Sequence, residues 1–223
     1  MVLDLTPDQL LSTTRTVRRR LDFDRPVDQG LIQECLTLAV QAPTRSNSQA
    51  WKFLVVCDQA TRAAIGEIYR RAFEIYRSQS YSAANLFGDQ PLRQAAQARV
   101  MDSAAYLALH IHEAPVHVIP CLSPRAEAEP GWRQASYWGS ILPATWSFML
   151  AARARGLGVA WTTLHLMFEE ELASLLGIPY ESVLQAALLP VAHTKGTRFG
   201  PAQREPLDSV VFWERWGGRQ PKG

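Results

Sequence analysis

The stretch QAPTRSNSQAWKFLVV, residues 41–56, joins the end of a helix, a polar loop and a strand. Pro43 lacks a backbone N–H and restricts Ala42 to extended conformations, which predicts that the preceding helix ends at Pro43. Residues 44–49 carry hydroxyls, amides and one guanidinium, which are all hydrogen-bonding groups. From Trp51 the chain is apolar on both faces, which predicts a strand buried on two sides. Ligand-binding groups often lie on polar loops held between such elements.

The elements on either side follow from capping residues and apolar periodicity. Thr6 and Pro7 predict the start of a short helix over residues 6–11, and Asp28 is a candidate cap for the next helix. Further helices are predicted over residues 58–80, 92–113, 134–156 and 169–176, and strands over residues 114–122, 157–164 and 183–192. Pro143 predicts a kink or a shifted start in the helix over residues 134–156. That helix has an apolar stripe that we assign to the core or a dimer seam: Trp138, Ile141, Leu142, Thr145, Trp146 and Met149.

The bulk composition favours one domain over residues 1–223. A chain of 223 residues that is 47% hydrophobic can bury a sizeable core. The net charge of +2 argues against a nucleic-acid-binding surface. The three cysteines lack zinc-site spacing, and inert thiols are the better interpretation. With no signal-peptide pattern at the start and no apolar run of roughly 20 residues, we expect a cytoplasmic protein that does not contact a membrane.

Four segments resemble the nitroreductase family. PTRSNSQAWKF resembles its flavin-loop signature, and TTRTVRRRLDFDRPV, residues 13–27, resembles its opening arginine motif. GLGVAWTTL, residues 156–164, resembles the loop at the isoalloxazine edge, and LLPVAHTKGTRFGPAQREPLDSVV, residues 188–211, resembles its phosphate-binding return. The segments occur in the family's order and span most of the chain. The resemblance implies an α+β fold with a mixed, mainly antiparallel central sheet flanked by helices, in an intertwined homodimer with two FMN sites at its interface.

The resemblance also implies which positions hold FMN. Guanidinium groups bind phosphate oxygens in a bidentate way, and the phosphate would be held by Arg15, Arg19 and Arg204. Thr16 and Val17 would offer backbone contacts, whereas Arg18 and Arg20 are expected to face solvent or to be structural. The ring and ribityl chain would be lined, from the other subunit, by Pro43, Thr44, Ser46 and Asn47, and Arg45 of the same loop is a further cofactor-binding candidate. A backbone N–H would be directed at flavin N5 from the loop formed by Trp161, Thr162, Thr163 and Leu164.

Several side chains keep two interpretations. Arg45 stands where small residues are common in the family; it either binds an acidic substrate or the NADPH phosphate, or points to solvent, which we favour. His165 either reaches the substrate cavity or is a hydrogen-bonded structural histidine. Arg70 or Arg71 is a candidate for the positive group near flavin N1. Residues 69–90 show no pattern that identifies a lid, and the remaining histidines show none typical of a metal site.

The function implied is an NAD(P)H-dependent FMN oxidoreductase that reduces an electron-poor acceptor such as a nitroaromatic or a quinone. No catalytic side chain is required, because the flavin carries the redox chemistry. One alternative is a specialised family member: a dehalogenase, a flavin-fragmenting enzyme or a dehydrogenase. A second is a flavin-sequestering or redox-sensing protein with little turnover. A third, a nucleic-acid module built on residues 15–20, is opposed by the near-neutral charge.

Overall fold

The chain forms an antiparallel sheet with helices packed on its faces. The computed structural model describes residues 2–127 and 129–220. The strands are β1 (Leu21–Asp22), β2 (Trp51–Val56), β3 (Val116–Leu122), β4 (Leu157–Val159), β5 (Leu184–Gln185) and β6 (Leu189–Thr194). The helices are α1 (Pro7–Thr13), α2 (Gln29–Ala39), α3 (Gln59–Arg77), α4 (Pro91–His110), α5 (Gly131–Ala154), α6 (Glu169–Leu176) and α7 (Leu207–Val210).

The sheet has β2 at one edge and β4, flanked by residues 16–17, at the other, while β1 lies on the same side of β6 as β3. Its strands follow the order β1-β6-β3-β2, while β4 pairs with β6 and β5 pairs with β3. Every one of these strand pairs is antiparallel, and Thr16 forms an isolated parallel bridge with Val159. The predicted fold class, a mainly antiparallel sheet flanked by helices, is therefore confirmed. Neighbouring strands lie about 4.8 Å apart, so β4 and β2 are separated by three spacings, roughly 14 Å.

A β-bulge divides the predicted last strand in two. β5 pairs Leu184 with Leu122, and β6 pairs Leu189 with Val118, in registers that differ by one residue. Residues 186–188 therefore lie opposite only Ile119 and Pro120. Pro120 has no N–H to donate, and its carbonyl accepts a hydrogen bond from the Ala186 N–H at 2.8 Å. Such an extra residue bends the strand and re-aims its backbone groups.

Capping residues set several helix starts as predicted. Thr6 begins α1 with a reciprocal capping box that includes Gln9, and the Asp28 carboxylate accepts the N–H of Gly30 at the start of α2. α2 ends at Ala39, earlier than the prediction from Pro43. The chain turns there because the N–H of Ala42 donates to the carbonyl of Ala39 at 3.2 Å.

One burial prediction is wrong. β2 is an edge strand in which Val55 is 36% exposed, so it is not buried on both faces. α5 begins before residue 134 and continues through Pro143. Of its predicted apolar stripe, Ile141, Thr145 and Met149 are buried, whereas Leu142 and Trp146 are each 37% exposed, and their place in a dimer seam stays a prediction. The buried face of α5 also includes Tyr137, Ser140, Ala144 and Phe148. Within the described residues, no helix combines the length and apolar character needed to cross a membrane.

Candidate functional site

The arginine motif forms a cleft beside the loop of residues 161–164. Residues 15–20, Ser103 and Phe199 enclose a volume of about 220 Å³, which we name the arginine cleft. The Val17 N–H donates to the Val159 carbonyl at 2.9 Å, and the Trp161 N–H donates to the Thr16 hydroxyl at 3.3 Å. These bonds bring together two of the segments that the sequence assigned to the flavin, with Thr16 and Val17 at their junction.

The arginines of the cleft differ in their ion-pair and hydrogen-bond partners. Arg19 is exposed and its Nη2 lies 2.7 Å from Asp102 Oδ1, so a carboxylate already offsets its charge. Arg18 is half-buried beside the Ser103 hydroxyl, and burial lowers its pKa. Arg15 donates from Nη2 to the Gly200 carbonyl, while its buried Nε has no hydrogen-bond partner in the described part of the chain. Arg18, expected to face solvent or to be structural, therefore lines the cleft, and no described carboxylate pairs with it.

Arg20 holds the C-terminal return against this cleft. Its guanidinium donates to the carbonyls of Lys195, Gly196 and Arg198 at distances of 2.8 to 3.1 Å. The same group lies 4.0 Å from the ring centroid of Phe199, which places that ring in the cleft wall. The structural role expected for Arg20 agrees with these contacts. Arg204 does not line the cleft; it is exposed and donates to the neighbouring Gln203 carbonyl at 3.2 Å.

The β-bulge fixes the loop of residues 161–164. Thr162 and Leu188 exchange backbone hydrogen bonds of 3.1 and 2.8 Å, and Leu188 belongs to the bulge. The Thr162 hydroxyl is also hydrogen-bonded to Tyr69 Oη at 2.9 Å, and Tyr69 is only 2% exposed. Thr163 is exposed, whereas Trp161 and Leu164 are half-buried. The loop therefore presents Thr163 from a rigid base.

Sequence reasoning missed four groups that shape the cleft and this loop. For Tyr69 on α3, the phenol was the available signal, since a buried hydroxyl needs a partner. Phe199 follows an arginine in the return and carried no signal of its own. Ser103 and the Leu188 backbone become neighbours of the site only through the tertiary fold.

His165 fits neither of its two interpretations. It is fully buried, and neither ring nitrogen has a hydrogen-bond partner among residues 2–127 and 129–220. Burial lowers its pKa to about 3, so the ring is neutral. The hydrogen-bonded structural histidine is His117, whose Nε2 lies 2.8 Å from the Ile111 carbonyl and whose pKa burial lowers to about 4.

The polar loop of residues 43–47 lies at the other edge of the sheet, before β2. Ser46, Asn47 and the nearby Gln49 have φ values of 47°, 52° and 48°, a left-handed region that costs non-glycine residues roughly 1–3 kcal/mol each. Ser46 and Asn47 are exposed, as is Pro43, whereas Thr44 is half-buried. None of the residues that line the arginine cleft comes from this loop.

Arg45 packs on its own chain instead of pointing to solvent. Its N–H donates to the Ser140 hydroxyl at 3.0 Å, and its guanidinium lies 5.2 Å from the ring centroid of Tyr137. Both contacts anchor the loop to α5, so the solvent interpretation is wrong.

Arg70 and Arg71 are each paired with a carboxylate. Arg70 pairs with Glu67 at 2.6 Å and Arg71 with Glu171 at 2.5 Å. Neither residue lines the arginine cleft. Across the described residues, no group of three or more His, Cys, Asp and Glu side chains is arranged to hold a metal ion. Burial raises the pKa of the Cys35 thiol to about 11 and that of Cys121 to about 12, which agrees with inert thiols.

Known proteins resemble this chain in sequence and in fold. The chain is 29% identical over 211 residues, 89% of its length and 91% of the relative's, to "NADH dehydrogenase" of Thermus thermophilus. It is 30% identical over 186 residues, 81% of its length and 79% of the relative's, to "5,6-dimethylbenzimidazole synthase" of Rhodospirillum rubrum. A mutant of the FMN- and NADPH-dependent nitroreductase NfnB from sphigopyxis sp. strain HMH has a similar fold, with a TM-score of 0.69, 21% identity and coverage of 94% of this chain and 99% of that one. The profile of the nitroreductase family matches residues 11–193, and the chain belongs to that family.

Proposed function

We propose that the chain is an FMN-dependent NAD(P)H oxidoreductase that acts as a homodimer. The observation that carries the proposal is the union of the arginine motif and the loop of residues 161–164 through the Trp161 N–H and the Thr16 hydroxyl, 3.3 Å apart. FMN held there would supply hydride transfer from NADH or NADPH to an electron-poor acceptor such as a nitroaromatic or a quinone. The family membership and the FMN-dependent nitroreductase of similar fold support the choice of cofactor.

The residues of the cleft fit the phosphate group of FMN. Arg15 has a buried Nε without a partner among the described residues, and Arg18 lacks a carboxylate partner there. A phosphate would supply acceptors to both groups and offset two charges in a partly desolvated place. Arg19 remains a candidate by resemblance, although Asp102 offsets its charge. Arg204 is a candidate by resemblance alone. The exposed Thr163 and its neighbours would border the ring.

The homodimer is proposed because the loop of residues 43–47 is at the opposite edge of the sheet from the arginine cleft. A second copy can bring its own loop to the cleft, which one chain cannot do without unfolding that edge. Large apolar side chains are also exposed on α5 and on the C-terminal segment, including Trp132 at 73% and Trp216 at 91%. The aromatic C-terminal segment leaves Phe212 and Trp213 38% and 41% exposed on its own chain, so a partner subunit is the surface that it would cover.

Flavin content and reduction test the enzyme assignment. The purified protein should be yellow, should hold one FMN per chain, and should bleach under anaerobic conditions when NADH or NADPH is added. Arg15→Ala and Arg18→Ala should be isolated largely without flavin, because each removes a phosphate ligand. Arg99→Ala, an exposed arginine on α4, is the matched control and should retain FMN. Full FMN occupancy in both cleft variants would refute the phosphate assignment, and a flavin that stays oxidised would favour a storage or sensing protein.

A mixed dimer tests whether the loop acts across the interface. Arg15→Ala disables the cleft, and Asn47→Leu removes the amide at the end of the loop. If each site takes its cleft from one chain and its loop from the other, a heterodimer of the two variants has one intact site and one doubly defective site. It should therefore bind about half the FMN of the wild type, while each parent homodimer binds little. A heterodimer that binds no FMN would show that both parts act within one chain.

A second candidate function is fragmentation of the flavin, which the notable similarity to "5,6-dimethylbenzimidazole synthase" favours. The readout is the flavin spectrum after reduction and exposure to air. An oxidoreductase should recover the oxidised absorbance in full, whereas a fragmenting enzyme should lose it permanently and release 5,6-dimethylbenzimidazole.

A further inference from the structure

A second cavity adjoins the arginine cleft and shares Phe199 with it. Its volume is about 620 Å³, and its walls come from the N-terminal segment with α1, from the last turn of α5 and from residues 197–201. Cavities of a few hundred to a thousand cubic ångströms are typical of small-molecule sites. None of Arg15, Arg18 and Arg19 lines this cavity, so it is distinct from the proposed flavin-phosphate cleft.

Arg153 lines this cavity and lacks a counter-ion. The residue is 5% exposed, and its Nη2 makes a weak contact of 3.4 Å with the Thr13 hydroxyl, which itself donates to the Gln9 carbonyl. Its buried Nε has no hydrogen-bond partner, and its guanidinium forms no ion pair with the carboxylates of the described residues. Buried arginines are normally paired, because removing the charge from water costs several kcal/mol.

Two local features lower the free-energy cost of burying the Arg153 charge but provide no hydrogen-bond acceptor for its Nε. It lies in the last turn of α5, where the helix dipole favours a positive charge, and its guanidinium lies 5.0 Å from the Phe199 ring centroid. Neither feature supplies an acceptor for Nε. Burial and the nearby Arg20 charge both lower the pKa of Arg153, and a bound anion would oppose both effects.

The other charged groups around the cavity are Arg198 and Asp4. Both are exposed, and neither forms an ion pair within the described residues. Their charges cancel, which leaves the buried Arg153 charge unbalanced. Ser12 and Thr197 add hydroxyls to the same wall, whereas Leu5 and Phe199 add apolar surface. The lining therefore combines an anion-binding end with room for an organic group.

We propose that this cavity binds a small molecule through an oxyanion, a phosphate or carboxylate group held by Arg153 and Arg198. A planar guanidinium presents two parallel donors to such a group, and the Arg153 Nε would gain the acceptor that it lacks. The volume exceeds that of an inorganic anion, so the oxyanion is carried by a larger organic molecule. Three probes distinguish the possibilities. Benzoate carries a carboxylate and adenosine 5′-monophosphate a phosphate, each on an organic group, whereas inorganic phosphate has no organic part.

Calorimetric titration of the FMN-saturated protein in a phosphate-free buffer tests the proposal. At least one probe should bind at one saturable site per chain, and the preferred probe identifies the oxyanion. Arg198→Gln should weaken that binding about tenfold, the typical effect of losing one charged hydrogen bond. The matched control Arg99→Gln should bind like the wild type. Arg153→Met, which keeps the side-chain length without the charge, should abolish binding.

The outcomes remain decisive if Arg153→Met does not fold, because Arg198 is exposed and its variant can be measured alone. Failure of all three probes to bind, or equal affinity in Arg198→Gln and the wild type, overturns the proposal. Loss of FMN from Arg198→Gln would also overturn it, since the cavity would then be part of the flavin site. Retention of FMN with weakened probe binding supports a separate site, whatever the fate of the proposed redox function.

Discussion

The two edges of the sheet differ in how many of their polar groups form hydrogen bonds within the chain. At the β4 edge, Arg20 binds three carbonyls of the return, and the Thr16 hydroxyl accepts the Trp161 N–H. At the β2 edge, Ser46 and Asn47 hold left-handed backbone conformations while their side chains remain exposed. The first edge is closed by hydrogen bonds within the chain, except in the cleft, where the Arg15 Nε has no partner among the described residues. The second is an ordered loop whose polar groups face outward.

This difference indicates where the chain depends on something other than itself. Strained backbone persists only where the surroundings determine it, and such strain often marks a binding site. Arg45 supplies the restraint through Ser140 and Tyr137. The loop is thus preformed before any ligand or second subunit arrives, which would reduce the entropy cost of binding.

The largest expected effect breaks the closed edge at Gly158. A Cβ at this position would lie 2.8 Å from Thr194 Cγ2, 2.9 Å from Leu21 Cδ2 and 3.2 Å from Val17 Cβ. Gly158→Val should therefore lower the free energy of unfolding by about 3 kcal/mol, measured by urea denaturation. Gly88→Val is the control, because nothing lies within 4 Å of its Cβ position. Equal stability of the two variants would contradict the close packing of this edge.

The second prediction concerns acid stability next to the loop of residues 161–164. The folded-state pKa of His165, about 3, lies below its ordinary value of 6.5, so the unfolded chain binds the proton more readily. Stability is lost as the pH falls below about 6.5 toward 3, and at pH 4.5 this group alone should cost about 2 to 3 kcal/mol.

His165→Leu should remove the part of the acid-induced loss of stability that comes from His165. Thermal unfolding at pH 7 and pH 4.5 measures it, and His117, with a folded-state pKa of about 4, supplies the acid sensitivity that remains. At pH 7 the variant should be at least as stable as the wild type, because no hydrogen bond to a described residue is lost. An unchanged difference between the two pH values would refute the neutral buried state of His165.

The third prediction concerns the contacts that hold residues 195–200 against the cleft. Arg20→Met should lower the free energy of unfolding by about 2 kcal/mol, because hydrogen bonds from a charged group to several carbonyls are lost together. Proteolytic cleavage within residues 195–200 should become faster. Arg204→Met is the matched control and should change stability by less than about 0.5 kcal/mol, since Arg204 is exposed. Similar proteolysis of both variants would contradict the role of Arg20.

The smallest effect sharpens the description of the open edge. Ser46→Val places a β-branched residue at a φ of 47°, whereas Ser48→Val places the same residue at an ordinary φ of −70°. Ser46→Val should cost about 1 kcal/mol more than Ser48→Val in urea denaturation. If the two variants are equally stable, the loop is not held in the left-handed conformation.

Local signals predicted the helix starts well, and non-local contacts account for the errors. Thr6 and Asp28 cap their helices because the capping bond involves residues close in the chain. The ion pair of Arg19 could not be foreseen, because its partner Asp102 is far away in sequence. Similarly, the exposed side of α5 depends on which face the sheet covers, and periodicity alone did not separate the exposed Trp146 from the buried Ile141.

The candidate site was predictable as segments but not as an arrangement. The sequence identified the arginine motif and the loop of residues 161–164, whose contact depends on a hydrogen bond to Thr16. It offered no means of finding the hydrogen bond between Tyr69 and Thr162, because that contact needs α3 packed against the loop. It also could not reveal the unpaired Arg153, whose burial follows from the packing of the chain around α5.

The bulge at residues 186–188 also sets the parity of the strand that follows it. Side chains alternate between the two layers along a strand, so deleting a single residue here would exchange the inward and outward positions of β6. Val191 and Ala192 are both fully buried, and the strand would survive the exchange as an apolar element. The Leu188 backbone, however, would no longer form its hydrogen bonds with Thr162. An insertion or deletion at this point would therefore move the loop of residues 161–164 before it disrupted the core.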